Sequence, residues 1–227
     1  MKKLRLGVLC SGSGTNFQAI VDACASGSLD AEIALMIANK PGVGAFTRAD
    51  AAGVPSKLLS HRDYASRDAY DAALVALLRE ASVELVVLAG FMRIVTPVFL
   101  EAFPDRVVNI HPALLPSFPG VDGQAQALDY GVAVTGCTVH LVDAGTDTGP
   151  IVAQAVVPIL DGDTRDSLAG RILGWEHRLL VEALRWFAEG RVEVIREEGK
   201  RTRVRVDGKS RAFGLADEAL GMKDHAS

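Results

Sequence analysis

Short apolar runs alternate with longer amphipathic segments along most of this chain. Apolar runs of roughly four to eight residues between turn residues are typical of buried strands, and apolar residues three and four apart indicate helices. This pattern predicts strands at residues 4–10, 32–38, 57–59, 84–90, 107–110, 136–142 and 151–159. It predicts helices at residues 17–24, 43–53, 66–81, 97–103 and 122–130, and a long helix from 163 or 164 to 189. The alternation predicts an α/β fold, with an open, mostly parallel, Rossmann-like sheet and helices on both faces.

The last part of the chain has a different pattern. Residues 192–195 and 202–206 are short stretches in which apolar and polar positions alternate, so they predict a small C-terminal β-hairpin. Residues 214–227 are polar and are predicted to be mobile. We therefore predict an α/β domain at residues 1–190 and an extension, made of the hairpin and a tail, at residues 191–227.

Composition and charge narrow the function classes. Of the 227 residues 49% are hydrophobic, and 24 basic against 28 acidic side chains give a net charge of −4. A weakly acidic chain lacks the broad basic surface of nucleic-acid-binding proteins. No apolar run reaches the roughly 18 residues of a transmembrane helix, and no signal peptide is recognisable. We expect a soluble, cytoplasmic protein that binds neither nucleic acid nor membranes.

The three cysteines, Cys10, Cys24 and Cys137, are widely spaced and form no C-x-x-C pair. Neither a disulfide framework nor a zinc site is therefore expected. We expect free thiols that pack as small apolar side chains, and no bound metal.

A glycine-rich turn, S-G-S-G-T-N, connects the first predicted strand to the first helix. Gly12 and Gly14 allow the backbone to approach a ligand closely, and a helix N-terminus offers free N–H groups to an anion. A P-loop would need a lysine after the turn, and a dinucleotide site would need a third glycine where Phe17 stands. The turn fits a lone phosphate, as on a mononucleotide, or a tight connection without a ligand, and the sequence leaves both open.

An amide and an imidazole stand together at the end of the strand predicted at 107–110. Asn109 and His111 are two residues apart, so their side chains share one face of the strand. Pro112 holds His111 in an extended conformation. Such a pair can stabilise an oxyanion and transfer a proton. The alternative is a packed or solvated histidine beside a turn-forming asparagine.

Further features could belong to the same site. Residues 90–95 form either a pocket wall or part of the core, and Asp143 and Asp147 lie in a glycine-rich turn. Glu176 borders the apolar face of the long helix and needs a partner or a ligand there. Arg67 lies in a first helical turn, where a cation opposes the helix dipole. Ligands bind at the carboxyl ends of parallel strands, so we expect the features that follow strands to meet at one edge of the sheet.

Together these motifs resemble those of the phosphoribosylglycinamide formyltransferases, folate-dependent enzymes of purine synthesis. The resemblance runs from Leu6 to Arg191 and rests on S-G-S-G-T-N, L-A-G-F-M-R-I, N-I-H-P-A-L-L-P-S-F-P-G, D-x-x-x-D-T-G-P and W-E-H. It implies transfer of the formyl group of 10-formyltetrahydrofolate, the co-substrate, to the amine of glycinamide ribonucleotide through a tetrahedral oxyanion, without a metal. It also implies a monomer or a homodimer, with the ribonucleotide site in the N-terminal half and the folate site in the C-terminal half of residues 1–190.

The resemblance implies roles for individual residues. The catalytic residues would be Asn109, His111 and Asp147. The ribonucleotide would be bound by Gly12, Ser13, Gly14, Thr15, Asn16 and Glu176. The folate would be bound by Arg67, Met92, Arg93, Ile94, Val95, Asn109, Val142 and Asp143. The family often has histidine and arginine where this chain has V-D-G-Q-A-Q at 121–126, so no substrate or pH role is expected for that loop.

Other function classes remain open. Methionyl-tRNA formyltransferase resembles this core but adds a C-terminal domain and a basic tRNA surface. Formyltetrahydrofolate hydrolase carries an N-terminal domain, whereas the first predicted strand here starts at Leu4. A non-catalytic nucleotide-binding module would keep the glycine-rich turn but would give no reason for Asn109, His111 and Asp147 to converge.

Overall fold

A seven-stranded sheet with helices on both faces forms the body of the computed structural model, which describes residues 2–209. The strands are β1 (Leu4–Cys10), β2 (Ala31–Ala38), β3 (Ser56–Leu58), β4 (Leu85–Leu88), β5 (Val107–His111), β6 (Val134–Leu141), β7 (Ile151–Pro158), β8 (Val192–Ile195) and β9 (Arg203–Val206). The helices are α1 (Thr15–Ala25), α2 (Gly44–Ala51), α3 (Arg67–Glu80), α4 (Pro97–Ala102), α5 (Gly123–Tyr130) and α6 (Arg165–Ala188). The predicted fold class is confirmed.

The sheet has the order β3-β2-β1-β4-β5-β6-β7, and its two parts differ in strand direction. Strands β1 to β5 pair in parallel, whereas β6 is antiparallel to both β5 and β7. The carboxyl end of β6 therefore points to the opposite edge of the sheet from the carboxyl end of β5. The expectation that Asp143 and Asp147 follow a parallel strand is therefore wrong, because β6 is antiparallel to β5. Their loop reaches the carboxyl end of β5 only by folding back across the sheet edge.

Two apolar layers cover the sheet. On one face α1, α2 and α6 bury side chains such as Phe17 and Leu180, and on the other face α3 and α4 bury Leu74 and Phe99. Each helix turns one apolar stripe toward the strands, and the apolar strands β1 and β4 are buried on both faces, as in parallel sheets generally. The polar side chains that face the cleft described below are therefore exceptions within a largely apolar interior.

Side-chain caps fix where α3 and α6 begin. Ser66 Oγ accepts the N–H of Ala69 at 3.1 Å before α3. Thr164 and Ser167 form a reciprocal capping box at the start of α6. These caps define the starts of the two helices that carry Arg67 and Glu176.

The C-terminal hairpin packs against the main sheet. Strands β8 and β9 pair antiparallel, as predicted, and Val204 and Val206 of β9 are buried in the same core as β7. Residues 214–227, predicted to be mobile, lie outside the residues that the structure describes.

Between residues 2 and 209 every helix is too short or too polar to cross a bilayer. The cysteines of this part are free, and burial raises the pKa of the Cys10 thiol to about 12.

Candidate active site

A cleft of about 540 Å³ opens where β1, β4 and β5 end. The predicted site residues that line it are Asn16, Met92, Arg93, Ile94, Val95, Asn109, His111, Val142, Asp143, Asp147 and Glu176. The other predicted residues, which lie beside it without lining it, are Gly12, Ser13, Gly14, Thr15 and Arg67. The fold thus brings segments that are far apart in the sequence to one cleft.

Asn109, His111 and Asp147 lie together in this cleft. Strand β5 carries Asn109 and His111, and the loop after β6 brings Asp147 Oδ2 to 3.4 Å from His111 Nδ1. The backbone N–H of Gly120 donates to the same Asp147 oxygen at 2.7 Å. An amide and an imidazole on strand β5 and a carboxylate from the loop after β6 therefore converge on one space.

Both ring nitrogens of His111 face oxygen acceptors. Nδ1 faces the Asp147 carboxylate, and Nε2 lies 2.9 Å from the carbonyl oxygen of Phe118. A carbonyl oxygen can only accept, so Nε2 must carry its proton here, and a second proton on Nδ1 would complete the contact with Asp147. The ring of His111 is thus held between a carboxylate and a carbonyl oxygen.

A second histidine, His140, is part of this cluster although the sequence did not single it out. It pairs with Asn109 across β5 and β6, and its Nε2 lies 3.0 Å from Asn109 Nδ2. Its Nδ1 lies 2.9 Å from the carbonyl oxygen of Leu141, so Nδ1 donates there, and in the neutral ring Nε2 accepts from the Asn109 amide. Nε2 also lies 3.6 Å from Asp147 Oδ1, to which it donates when the ring carries both protons. The sequence does show a histidine inside the apolar run of β6. Its relevance to the site becomes evident only from the antiparallel register, which places it opposite Asn109.

Electrostatics keep Asp147 ionised although its side chain is largely enclosed. Burial raises the pKa of this carboxyl, but the side chain of His140, the Gly120 N–H and the charge of His111 together lower it below its ordinary value. Asp147 also has φ 54°, a left-handed conformation that aspartate adopts at some cost. The surrounding loops therefore fix the position of this carboxylate, and its neighbours favour its ionised form.

The proline-rich loop after His111 is anchored to the antiparallel strands. Thr138 Oγ1 donates to Ala113 O at 2.7 Å and accepts the N–H of Leu115 at 3.1 Å. Gln154 Nε2 donates to Leu115 O at 2.9 Å. These contacts fix the course of the loop that carries the Phe118 carbonyl to His111.

The glycine-rich turn is tightly packed at Gly14. This residue caps the N-terminus of α1 with φ 73°, and a Cβ there would stand 2.8 Å from Ala45 Cα. A Cβ at Gly12, in contrast, would meet nothing within 4 Å. Arg48 Nε donates to the carbonyl oxygen of Ser13 at 2.9 Å, which places a cation beside the turn. The free N–H groups of α1 and this cation give the turn a positive potential suited to an anion.

Asn16 and Glu176 connect the turn to α6. Asn16 Nδ2 donates to Glu176 Oε2 at 2.9 Å, and both side chains are buried while lining the cleft. Burial raises the pKa of the Glu176 carboxyl, and the hydrogen bond from Asn16 offsets part of that shift. The partner that the sequence required for Glu176 is therefore Asn16.

The segment after β4 is both a pocket wall and part of the core, the two possibilities that its sequence allowed. Phe91 and Val95 are buried in the core, whereas Met92 and Ile94 are 70% and 51% exposed. Arg67 Nη2 donates to the carbonyl oxygen of Ile94 at 2.6 Å. Arg67 thus contacts the segment from outside the cleft.

Two acidic residues at the rim have partners within the protein, Asp143 in its own loop and Asp122 at the start of α6. Asp143 Oδ1 accepts from Thr148 Oγ1 at 2.6 Å, which is turn chemistry. Asp122, in the V-D-G-Q-A-Q loop, forms an ion pair with Arg165 at 2.8 Å, and hydrogen bonding from Arg165 lowers the pKa of its carboxyl. In residues 2–209 no group of three or more His, Cys, Asp or Glu side chains is arranged to hold a metal ion.

Comparisons with known proteins assign the chain to a family. The formyl transferase model matches residues 4–184. Phosphoribosylglycinamide formyltransferase of Mycobacterium tuberculosis is 49% identical over 191 residues, which cover 84% of this chain and 88% of that protein. The trifunctional purine biosynthetic protein adenosine-3 of Drosophila melanogaster is 48% identical over 191 residues, but the chain spans only 14% of that relative's length.

Solved structures agree with the sequence matches. Glycinamide ribonucleotide transformylase 1 of Symbiobacterium toebii superposes with a TM-score of 0.86 at 50% identity, over 90% of this chain and 94% of that one. Phosphoribosylglycinamide formyltransferase of Coxiella burnetii, solved in complex with CHES, gives a TM-score of 0.86 at 36% identity, over 94% and 99% of the two chains. The chain therefore belongs to the formyl transferase family, among the phosphoribosylglycinamide formyltransferases.

Proposed function

We propose that this protein transfers the formyl group of 10-formyltetrahydrofolate to the amine of glycinamide ribonucleotide in purine biosynthesis. The names of its relatives support this reaction. The observation that carries it is the convergence of Asn109, His111 and Asp147 in a cleft next to the glycine-rich turn. That arrangement suits an acyl transfer between two small molecules.

The acceptor would occupy the side of the cleft near α1 and α6. We assign its phosphate to the turn formed by Gly12, Ser13, Gly14, Thr15 and Asn16. Glu176 would accept an N–H of the glycinamide, because its buried carboxylate points into the cleft beside Asn16. The positive end of α1 and the nearby Arg48 would bind the phosphate charge.

The donor would occupy the side of the cleft near β4 and the loop after β6. We assign folate binding to Arg67, Met92, Arg93, Ile94, Val95, Asn109, Val142 and Asp143. The N–H groups of Met92 and Val142 are already donated within the protein, to Ser11 Oγ and Val107 O at 2.9 Å each. The pterin would therefore meet apolar side chains and backbone oxygens on this side.

The chemistry follows from Asn109, His111 and Asp147. The substrate amine attacks the formyl carbon, a new C–N bond forms, and the carbonyl oxygen becomes an oxyanion. His140 holds one N–H of Asn109, and the other N–H, with protonated His111, would bind this oxyanion. When the bond from the formyl carbon to folate N10 breaks, the proton lost by the amine passes to N10. Asp147 would order the water that carries it.

One contact must change during this reaction. In the structure His111 donates its Nε2 proton to Phe118 O at 2.9 Å. The same N–H can donate to the oxyanion only if the carbonyl of Phe118 moves away or if the two oxygens share the hydrogen bond. Phe118 has φ 56°, a left-handed conformation that is strained for an aromatic residue.

The test is a formyl-transfer assay with purified protein, 10-formyltetrahydrofolate and glycinamide ribonucleotide, followed by folate absorbance. We expect turnover that depends on the ribonucleotide. Release of folate that ignores the ribonucleotide would overturn the transferase in favour of a hydrolase. Binding of either ligand without turnover would instead indicate a non-catalytic module.

We propose further that the substrates are small molecules alone, that the protein is cytoplasmic, and that it is a monomer or a homodimer. The mixed surface charge supports the first point, with 24 basic and 28 acidic residues in the whole sequence. Sedimentation analysis at several protein concentrations measures the oligomeric state. A tetramer or larger assembly would contradict this proposal.

A further inference from the structure

A buried carboxylate outside the cleft has no part in the chemistry described so far. Asp71 lies on the apolar face of α3 with Leu74 and Leu78, and it is 2% exposed. Its Oδ2 accepts the N–H of Thr96 at 2.6 Å. Burying a carboxylate costs folding free energy unless its partners compensate, and a hydrocarbon side chain would suit this helix face better. The contact with Thr96 therefore points to a role beyond packing.

Thr96 ends the segment that lines the donor side of the cleft. We call residues 92–96 the donor wall. The wall has no regular secondary structure until α4 begins at Pro97. Its backbone is not held by a strand ladder, so its position depends on contacts from neighbouring side chains.

Buried side chains hold the donor wall at both ends. At its start, Ser11 Oγ accepts the N–H of Met92 at 2.9 Å, and at its end Asp71 accepts the N–H of Thr96. Between these points, the guanidinium of Arg93 lies over the ring of Tyr70, 4.6 Å from its centroid. Tyr70 and Asp71 are adjacent on α3, so this helix holds both the middle and the end of the wall.

We propose that Asp71 is a positioning residue for the formyl donor, acting through the backbone N–H of Thr96. Asp71 is not among the residues that line the cleft, so it does not touch the substrate. Its carboxylate fixes the end of the donor wall, and through it the placement of Met92 to Val95 against the folate. The acceptor site rests on α1 and α6 and should not depend on this contact. This inference rests on the proposed function, because it names which substrate the wall serves.

The test compares three substitutions by their KM values for the two substrates. Asp71→Ala removes the acceptor and leaves the Thr96 N–H unpaired, so we expect KM for 10-formyltetrahydrofolate to rise about tenfold. We expect KM for the ribonucleotide to stay within about twofold. Asp71→Asn keeps an oxygen that can accept from Thr96, so it should restore most of the donor affinity. Ser11→Ala removes the contact at the other end and should also raise the donor KM.

A matched control separates positioning from general stability. Leu78 lies on the same face of α3, and it is buried in the same apolar cluster. Leu78→Ala should lower the Tm at least as much as Asp71→Ala but leave the two KM values in their wild-type ratio. Circular dichroism checks that each variant folds.

Two results would overturn the proposal. Either the KM values of both substrates change together in Asp71→Ala, or Asp71→Asn behaves like Asp71→Ala. Calorimetric titration of each variant with folic acid keeps the test independent of turnover. If the wild-type protein shows no formyl transfer, the proposed reaction is refuted. A weaker affinity for folic acid in Asp71→Ala than in the wild type would still support positioning by Asp71.

Discussion

At the scale of single residues, the site depends on strained and enclosed polar groups. Asp147 and Phe118 both have positive φ values, 54° and 56°, and both contact His111. Conformations of this kind persist only where the surrounding structure enforces them, and they concentrate at functional sites. The strain around His111 is a local cost that the rest of the fold must offset.

Asp147→Asn should lower kcat by about two to four orders of magnitude, because the amide removes the charge that matches protonated His111 and orders the proton-carrying water. The measurement is kcat under saturating concentrations of both substrates. The overall fold should persist, since asparagine still accepts from the Gly120 N–H and tolerates the left-handed backbone.

Asp161→Asn is the matched control for that change. Asp161 is exposed in the loop before α6 and is absent from the residues that line the cleft. Its replacement should leave kcat and Tm at their wild-type values. A near-normal kcat in Asp147→Asn would remove Asp147 from the proposed mechanism.

Glu176→Gln should raise the Tm at about pH 8 and have less effect at about pH 5. Burial raises the pKa of Glu176 in the folded state. Its contribution to stability is therefore fully present below the unfolded pKa and is lost as the pH rises through the higher folded pKa. Glutamine has no charge to bury and can still accept from Asn16, so the gain should appear on the alkaline side.

The comparison for this prediction is Glu182→Gln on the same helix. Glu182 accepts hydrogen bonds from Arg185 and Trp186 near the surface, so its replacement should give no Tm gain at high pH. The ribonucleotide KM of Glu176→Gln should rise, because an N–H of the substrate loses a carboxylate acceptor. A Tm difference that is the same at both pH values would refute the role of desolvation.

At the scale of elements, the turn before α1 leaves space for a ligand at one glycine and none at the other. Gly12→Ala should raise the ribonucleotide KM about tenfold while leaving the Tm near its wild-type value. A Cβ at Gly12 meets no protein atom within 4 Å, so it would displace only the phosphate. Gly14 is unsuitable for this test, because a Cβ there would collide with Ala45.

Gly170→Ala on α6 is the control for that substitution. Gly170 is an exposed glycine inside a helix, and its Cβ would also meet nothing within 4 Å. Alanine there should stabilise the protein by about 0.5–1 kcal/mol with no change in either KM. If Gly12→Ala changes the KM of both substrates equally, the phosphate does not bind at this turn.

At the scale of the whole molecule, the hairpin and the sheet share a core. Val206→Ala should destabilise the entire protein by about 1.5–3 kcal/mol, because Val206 is 2% exposed and packs in the same cluster as β7. Thermal unfolding followed by calorimetry and by tryptophan fluorescence should show one coincident transition at a lower Tm.

Arg196→Ala is the control for the hairpin. Arg196 forms an exposed ion pair with Asp105, so its loss should leave the Tm almost unchanged. Two separate transitions in Val206→Ala would instead support the predicted boundary between residues 1–190 and the extension. The predicted division into a ribonucleotide half and a folate half stays a prediction, and the contact of Asn16 with Glu176 joins distant parts of the chain.

Much of the architecture followed from local pattern. The apolar runs and helical spacings predicted each strand of the sheet to within a few residues. The residue types at Asn109 and His111 indicated only a pair able to stabilise an oxyanion and transfer a proton, and the family resemblance added Asp147 and the formyl transfer. Strand periodicity and helix capping act over short stretches, so the sequence carries them directly. The family resemblance, confirmed by the comparisons, rests on motifs of the same local kind.

Tertiary structure alone decided how these pieces meet. The antiparallel direction of β6 places His140 opposite Asn109 and makes the Asp147 loop fold back onto His111. The burial of Asp71 against Thr96 likewise joins residues 25 apart in the sequence. Residue type and spacing determined which elements form and which chemistry is available. Strand direction and register, set by packing of the whole core, determined which of these side chains meet in the cleft.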